Sequence, residues 1–427
     1  MQNESITGDP GKVKKSSLLF IFITVLIDLM GIAIIIPVIP ILIEELTGQA
    51  INDAGFTGGI LYSAFAVMQF LFAPLLGELS DRFGRRPVLF IALGGLGLDY
   101  IFQAFAPTLL WLFVGRILAG VCGASHTVAM AYVADVSTPE NRAKNFGMIG
   151  AAFGMGFFLG PMLGGWCAEF GYQVPFLVAA GMALLNLLFG IFILPESLPK
   201  EKRRKMNWKN VIPGVSLASL AKYKTLGLLI AAFALVGLAG QVMPSVWTFY
   251  TMEAFGWGPK WVGISLGFIG LMVGLVQAMV TGWSVKKFGQ KKVIMFGFIL
   301  WTIGMFAIAQ VGNQYILFIA MIPYIVGGIA QPTMQGFMSN SVGDSEQGNL
   351  QGALTSLMSL AAVFAPLIYT SIFQTYADRE NPNYFPGAPF VAGGIILVAA
   401  TMFAFFAIRS MGDEKSEPVI DGPELAE

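Results

Sequence analysis

The sequence predicts an all-α membrane protein: twelve transmembrane helices in two pseudo-symmetric six-helix bundles. Three observations carry that prediction. Of 427 residues, 56% are hydrophobic and only 12% are charged, against about 25% charged in an ordinary soluble chain. Twelve apolar stretches recur along the chain, each near the roughly 20 residues that a helix needs to cross a bilayer. A local pattern also repeats 205 residues on, at nearly half the chain length. Composition excludes other classes as well. Two cysteines, Cys122 and Cys167, make no disulfide scaffold, and a single histidine, His126, makes no His-rich metal centre.

The spans are expected at 18–43, 56–76, 88–106, 109–134, 143–169, 175–194, 225–252, 261–284, 293–311, 315–341, 349–376 and 390–409. The first follows a polar leader with Lys12, Lys14 and Lys15. It is too long for a signal-peptide core and lacks a small-x-small cleavage site, so it is expected to be retained. Of the 25 Lys and Arg, 22 fall on one side of the twelve-span path: before span one, in 77–87, 142–144, 195–224 and 285–292, or from Arg409 on. Lys260 and Arg379 lie on the other side and Arg116 lies inside a span. The positive-inside rule then makes both termini cytoplasmic.

The basic segment 195–224, with Lys200, Lys202, Arg203, Arg204 and Lys205, divides the chain. A first six-helix bundle is expected over 1–194, a linker over 195–224, a second bundle over 225–410 and a tail over 411–427. The linker reads as a solvated topology determinant near anionic headgroups; a specific lipid or partner site is the other reading.

The repeat lies in the short connections. Gly77-Glu78-Leu79-Ser80-Asp81-Arg82-Phe83-Gly84-Arg85-Arg86 stands between spans two and three, and Gly282-Trp283-Ser284-Val285-Lys286-Lys287-Phe288-Gly289-Gln290-Lys291 between spans eight and nine. Gly77, Phe83, Gly84 and Val88 recur as Gly282, Phe288, Gly289 and Val293. A repeat in equivalent loops is the pattern of a transporter built from two parallel halves.

The first loop resembles the G-x-L-s-D-R-x-G-R-R-P signature of the major facilitator superfamily. In span five Gly147, Gly156, Gly160-Pro161 and Gly164-Gly165 resemble the antiporter motif of its twelve-span drug/proton exchangers. More closely, Ile27-Asp28-Leu29-Met30-Gly31, Val67-Met68-Gln69, Leu98-Asp99-Tyr100, Gly115-Arg116 and Ala330-Gln331-Pro332 resemble the bacterial tetracycline/proton antiporters. The resemblance runs from about residue 18 to 410. It implies that fold, a bacterial inner (plasma) membrane location, and antiport that confers drug resistance. Those pumps carry a further acid in span nine and, in some members, a histidine in span eight. Trp301 and Val273 stand there instead, so this chain either couples differently or exports another compound.

An ionisable group inside a bilayer costs about 2.5–3.5 kcal/mol on insertion scales, so its default reading is functional. Asp28 in span one, Asp99 in span three and Arg116 in span four qualify. Asp28 has no cation in its own span. Desolvation then disfavours the charged carboxylate, as a proton carrier requires, and the resemblance gives the matching acids and Arg a functional role. For Asp99 with Arg116 a purely structural ion pair is the other reading. His126 lies about 80° off the Arg116 face on a regular helix. It suits proton relay or packing beside Ser125 and Thr127, and it is no part of the resemblance.

For the 77–87 loop the resemblance implies a gate. The loop glycines, Gly77 and Gly84, allow a tight turn, Asp81 sits at the N-terminus of span eleven, and Arg85 pairs with Asp135, with Arg86 alongside. The second copy has Lys286 in place of Asp81 and is not expected to lock in the same way. The span-five glycines pack backbones closely, Pro161 kinks the helix, and together they seal against proton leak. Spans seven to twelve carry amides at mid-depth: Gln241, Gln277, Gln331 and Gln335, with Trp247 and Tyr324 near. Gln331 and Gln335 share a helix face. With Gln69 they would line a cavity for an amphiphile, or else bond between helices.

The expected function is proton-coupled export of small amphipathic drug-like molecules by alternating access, tetracycline being one candidate. Protons are the coupling ion and no cofactor or metal is expected. A proton-coupled symporter importing a small metabolite on the same fold is the alternative, and the span-five glycines argue against it. Asp28 and Asp99 argue against a receptor that moves nothing. An enzyme is not expected, since no span presents a nucleophile–base pair or metal-ligand cluster. No phosphate-binding G-x4-G-K-[ST] loop appears, so ATP drive is not expected. The partners are the small-molecule substrate and membrane lipids, with no nucleic acid, and the chain is expected to act as a monomer.

Overall fold

The computed structural model of this chain describes residues 10–410, apart from 207, 209–210, 212–216, 218, 224–225 and 344–345. The expected tail 411–427 and part of the linker therefore lie outside the described residues. Among the described residues, eleven helices are long and apolar enough to span a membrane: Ile51–Phe83, Arg85–Ala104, Leu109–Val136, Asn145–Phe170, Val174–Ile193, Gly227–Phe255, Pro259–Phe288, Gln290–Gln310, Gln314–Asn340, Gln347–Tyr376 and Ala388–Ser410. Leu18–Ile34 and Ile39–Thr47 form one further span bent by 41°. These are the twelve expected spans, and they are numbered in that order below.

Four spans are interrupted where the sequence withdraws a backbone donor or a helix-favouring residue. Span one breaks at 35–38 ahead of Pro40, span seven at Gln241 ahead of Pro244, and span ten at 328–329 ahead of Pro332. A proline in the first turn of the new helix loses no hydrogen bond. Span four breaks at Ala124, directly after Gly123. The breaks at Ala124 and Ile329 lie 205 residues apart, matching the sequence repeat. Span eight carries a π-helical turn over Val276–Thr281, a feature that often marks functional helices.

The expected loop 77–87 is corrected by the structure. Span two stays helical through Phe83 and span three starts at Arg85, so Gly84 alone makes the turn. Its φ of 105° and ψ of 156° belong to a region that only glycine occupies readily. Gly289, with φ 81° and ψ 153°, makes the same turn between Phe288 and Gln290. Pro161 stands inside the helix Pro139–Cys167.

The two groups of six spans meet at the ends remote from Gly84 and Gly289. Span five lies on span eight: a Cβ at Gly263 would meet the Gly165 Cα at 3.1 Å, and one at Gly267 would meet the Phe158 carbonyl at 3.2 Å. Span two lies on spans seven and eleven, with Gly55 against Phe373, Gly58 against Phe249 and Gly59 against Thr370. Small residues at a crossing let backbones approach in lipid, where no hydrophobic drive brings helices together. Polar bonds close the same end. Gln374 donates to Asp53 at 3.0 Å, and Lys260 pairs with Glu169 at 3.0 Å.

Candidate transport site

The ionisable groups of spans one, three and four each find a partner of specific chemistry. Asp28 is half-buried on span one, and the Ser125 hydroxyl at the head of the second piece of span four donates to it at 2.8 Å. Span one is pinned one turn earlier, where Thr24 donates to Asn186 of span six at 3.2 Å. Gly31 leaves room for Tyr100, whose hydroxyl would lie 3.2 Å from a Cβ there. That hydroxyl is buried without a partner, and it sits in the combined field of Asp28, Asp99 and Arg116.

Asp99 and Arg116 form no direct ion pair, contrary to the simpler expectation. Gln103 stands between them. The Arg116 Nε donates to the Gln103 oxygen at 2.8 Å, a second guanidinium nitrogen donates to the same atom, and the Gln103 amide nitrogen donates to Asp99 Oδ2. All three side chains are buried, Gln103 completely. Sequence reasoning missed Gln103, although its i+4 spacing from Asp99 on an apolar helix was a readable signal.

His126 packs edge-on against Phe153, ring centroids 4.6 Å apart, and its Nδ1 is buried without a partner. The break at Ala124 lies between Arg116 and His126, so the 80° offset counted along a regular helix does not apply.

At the turn between spans two and three a buried charge cluster forms. Arg85, 7% exposed, bonds Asp81 at 2.5 Å, Asp135 at 3.0 Å and the Ser80 hydroxyl at 2.7 Å. The Arg85–Asp135 contact is the one the family resemblance implied. The described bonds of Asp81 run to Arg85 and to the Arg204 amide, not to span eleven, which begins beside the undescribed 344–345. Arg86 donates to the Ile191 carbonyl at the end of span six at 2.5 Å and covers Phe90. Gly77 faces only Thr127, 3.7 Å from a Cβ at that position.

The first residues of the linker are docked, while Lys200, Lys202, Arg204 and Lys205 of its basic run are exposed, as expected of a solvated run. Glu196 accepts the amides of Arg85 at 2.9 Å and Arg86 at 3.3 Å, so its carboxylate caps the N-terminus of span three, where negative charge is favoured. Arg203 pairs with Glu196 at 3.8 Å, and Ser197 donates to Asp135 at 3.0 Å. The sequence reading gave Glu196 no role.

The span-five glycines divide by partner. Gly156 and Gly160 lie on Leu29, Met30 and Ala33 of span one, Gly164 lies on Ile34, and Gly165 with Pro161 lies on span eight. Gly147 approaches nothing within 4 Å, so its motif position makes no close crossing. The mid-depth amides are spread apart. Gln69 donates to the Gly123 carbonyl at the span-four break at 3.2 Å, Gln331 to Met358 sulfur at 3.5 Å, and Gln335 to Gln351 at 2.5 Å. Gln241 sits at the span-seven break and Gln277 is exposed on the π turn. Trp247 is buried and donates to Ser265 at 2.9 Å. Tyr324 meets Trp301 edge-on at 5.9 Å, and the Trp301 Nε1 is buried without a partner.

A twelve-span bundle with an internal repeat and ionisable groups buried in one half defines a membrane transporter rather than an enzyme. The chain belongs to the Major Facilitator Superfamily, whose model matches residues 21–287 and 273–424. It is 38% identical over 366 residues to the class C tetracycline resistance protein of Escherichia coli, across 86% of this chain and 92% of that one. Identity to multidrug resistance protein 2 of Bacillus subtilis strain 168 is 27% over 391 residues, across 90% and 93% of the two chains. A bacterial homolog of the human lysosomal transporter Spinster, solved in an inward-facing and unoccupied conformation, superposes with a TM-score of 0.75. That match has 15% identity and covers 95% of this chain and 98% of the other, which shows the shared fold.

Proposed function

We propose that this transporter is a proton-coupled exporter of small amphipathic drug-like molecules, working by alternating access, with tetracycline as a candidate substrate. The observation that carries the reading is the arrangement of Asp28 and Asp99: two membrane-embedded acids in one half, neither held in a direct ion pair. Such acids can take and release a proton as the site faces each side. An inward potential supplies about 2.3 kcal/mol per charge per 100 mV, and each pH unit about 1.4 kcal/mol. The relatives' names, which give resistance to tetracycline and to multiple drugs, support a drug-like substrate.

The same proposal covers the rest of the scheme. The basic end is cytoplasmic, both termini lie there, and the membrane is the bacterial inner membrane. The bundles are 1–194 and 225–410, joined by the linker 195–224, and the chain works as a monomer. Closure at the remote end then describes an inward-facing state. Asp81, Arg85, Arg86, Asp135 and Gly77 gate the cytoplasmic mouth. The span-five glycines and Pro161 seal spans one and eight against leak. Arg116 and His126 support proton movement, and Gln69, Gln241, Gln277, Gln331 and Gln335 offer hydrogen bonds to the substrate. Everted vesicles given tetracycline and a panel of lipophilic dyes test the reading: accumulation that an uncoupler abolishes supports it, and uptake indifferent to the uncoupler refutes it.

A further inference from the structure

The amide between Asp99 and Arg116 has no part in the scheme above, yet it is the most completely buried member of the cluster. We propose that Gln103 is a positioning residue that holds Asp99 and Arg116 apart and reports the protonation state of one to the other. The inference rests on the proton-coupled reading and deepens it.

The guanidinium grips the Gln103 oxygen with two donors, while the amide nitrogen of the same side chain donates to Asp99 Oδ2. An amide placed between a cation and an anion is polarised by both, which strengthens the chain of bonds without letting the charges touch. The second Asp99 oxygen, Oδ1, is buried and unpartnered, so it is open to a proton while Oδ2 is engaged. Gly115 makes the room: a Cβ there would run into the Gln103 side chain and approach Asp99 Oδ1 to 3.3 Å.

With Asp99 charged, the amide is held at both ends and ties span three to span four. A proton arriving on Oδ1 removes the charge that draws the amide nitrogen. The Gln103 oxygen is then less polarised, and Arg116 loses its grip on span three. The proton stays on Asp99, because a neutral amide exchanges hydrogen bonds and not protons. The other groups that face this cluster are few. Span four adds Cys122, span two adds Tyr62 near Arg116, and span one adds Asp28, with Tyr100 between the two acids. Span six, packed on span three, contains no titratable residue within Val174–Ile193. His126, further along span four, packs on Phe153.

Infrared titration of the purified full chain in detergent tests this directly. The carboxyl C=O band that Asp99→Asn removes reports the protonation of Asp99. In Gln103→Met the guanidinium turns to the carboxylate itself, and the midpoint of that band moves toward acid by about one pH unit or more, a tenfold change in proton affinity. Should Gln103→Met fail to fold, Gly115→Ala, which presses the amide aside, moves the same midpoint in the same direction by less. A midpoint equal to wild type in the variants that fold overturns the proposal. Wild-type proteoliposomes assayed in parallel keep the two readings separate. Absence of pH-driven transport there removes the exporter scheme, while the band midpoint still decides the role of Gln103.

Discussion

Gly84 and Gly289 make the same glycine-only turn 205 residues apart, and what surrounds them differs. Around Gly84 the Glu196 carboxylate is so close that a Cβ would strike it, and Arg203 lies 2.8 Å from that Cβ position. Around Gly289 nothing lies within 4 Å of a Cβ. Arg82 over the Phe83 ring recurs as Lys287 over the Phe288 ring, but the first turn carries Arg85 bonded to two acids where the second has Gln290. The same contrast runs through the spans. The first six hold Asp28 half-buried and Asp99 and Arg116 buried among hydrogen-bonding partners; the last six bury aromatic rings, Trp247, Trp301 and Tyr324, with scattered amides. Two copies of one scaffold have taken opposite chemistry. On the proposed scheme, proton coupling falls to the first half and contact with the substrate to the second.

The largest expected effect comes from removing a first-half acid. Asp28→Asn keeps the hydrogen bond to Ser125 and loses the titrating group, so pH-driven export falls to background while expression and folding remain. A variant that still accumulates drug in response to a pH step would break the assignment of coupling to the first half.

Next comes the Arg85 cluster. Arg85→Ala leaves Asp81 and Asp135 without their cation, and breaking a buried pair costs about 3–5 kcal/mol, less here because Asp81 is about a third exposed. The purified variant should melt at lower temperature, and cysteine labelling at the basic end should rise. In the second copy Gln290 stands in the place of Arg85, and removing the nearby cation with Lys287→Ala loses only exposed cation–π contacts worth about 0.5–1 kcal/mol, which should leave both readouts near wild type. Equal losses from the two variants would erase the contrast.

The turns themselves give a finer comparison. Alanine at either glycine strains a backbone that L-residues avoid, for about 1–3 kcal/mol. Gly84→Ala must also displace Glu196, so its thermal stability should fall further than that of Gly289→Ala. A reversed order would mean that the Glu196 cap contributes nothing.

Much of this was legible in the residues. Span number, the offset of the repeat and the buried acids follow from hydropathy, periodicity and the rarity of charge in apolar runs, and the Arg85–Asp135 contact followed from the motif resemblance. What escaped depends on tertiary placement. Glu196 acts only because the chain leaving span six folds back onto the start of span three. Gln103 matters only because Gly115 lets Arg116 approach it. The break at Ala124 carries no proline, and the amides of Gln69, Gln331 and Gln335 look free in sequence because their partners Gly123, Met358 and Gln351 lie far away along the chain.

The smallest expected effect lies in the second half. Gln331→Ala or Gln335→Ala removes bonds worth about 0.5–1.5 kcal/mol each, so apparent affinity for an exported compound should fall about twofold to tenfold. The pH optimum should stay in place, since a neutral amide on another bundle perturbs a carboxylate little. His126→Gln sharpens the boundary: a shifted pH profile places the ring in proton movement, and an unchanged one leaves it as a packing group on Phe153.

One measurement bears most directly on the division of labour. Wild type, Asp28→Asn and Gln331→Ala are reconstituted in proteoliposomes, a pH gradient is imposed with the membrane potential clamped at zero, and initial rates of drug movement are recorded against substrate concentration. The account predicts gradient-driven transport in wild type, the same gradient dependence at weaker affinity in Gln331→Ala, and none in Asp28→Asn. Full gradient-driven transport in Asp28→Asn, or a Gln331→Ala protein with intact affinity and a lost pH response, would contradict it.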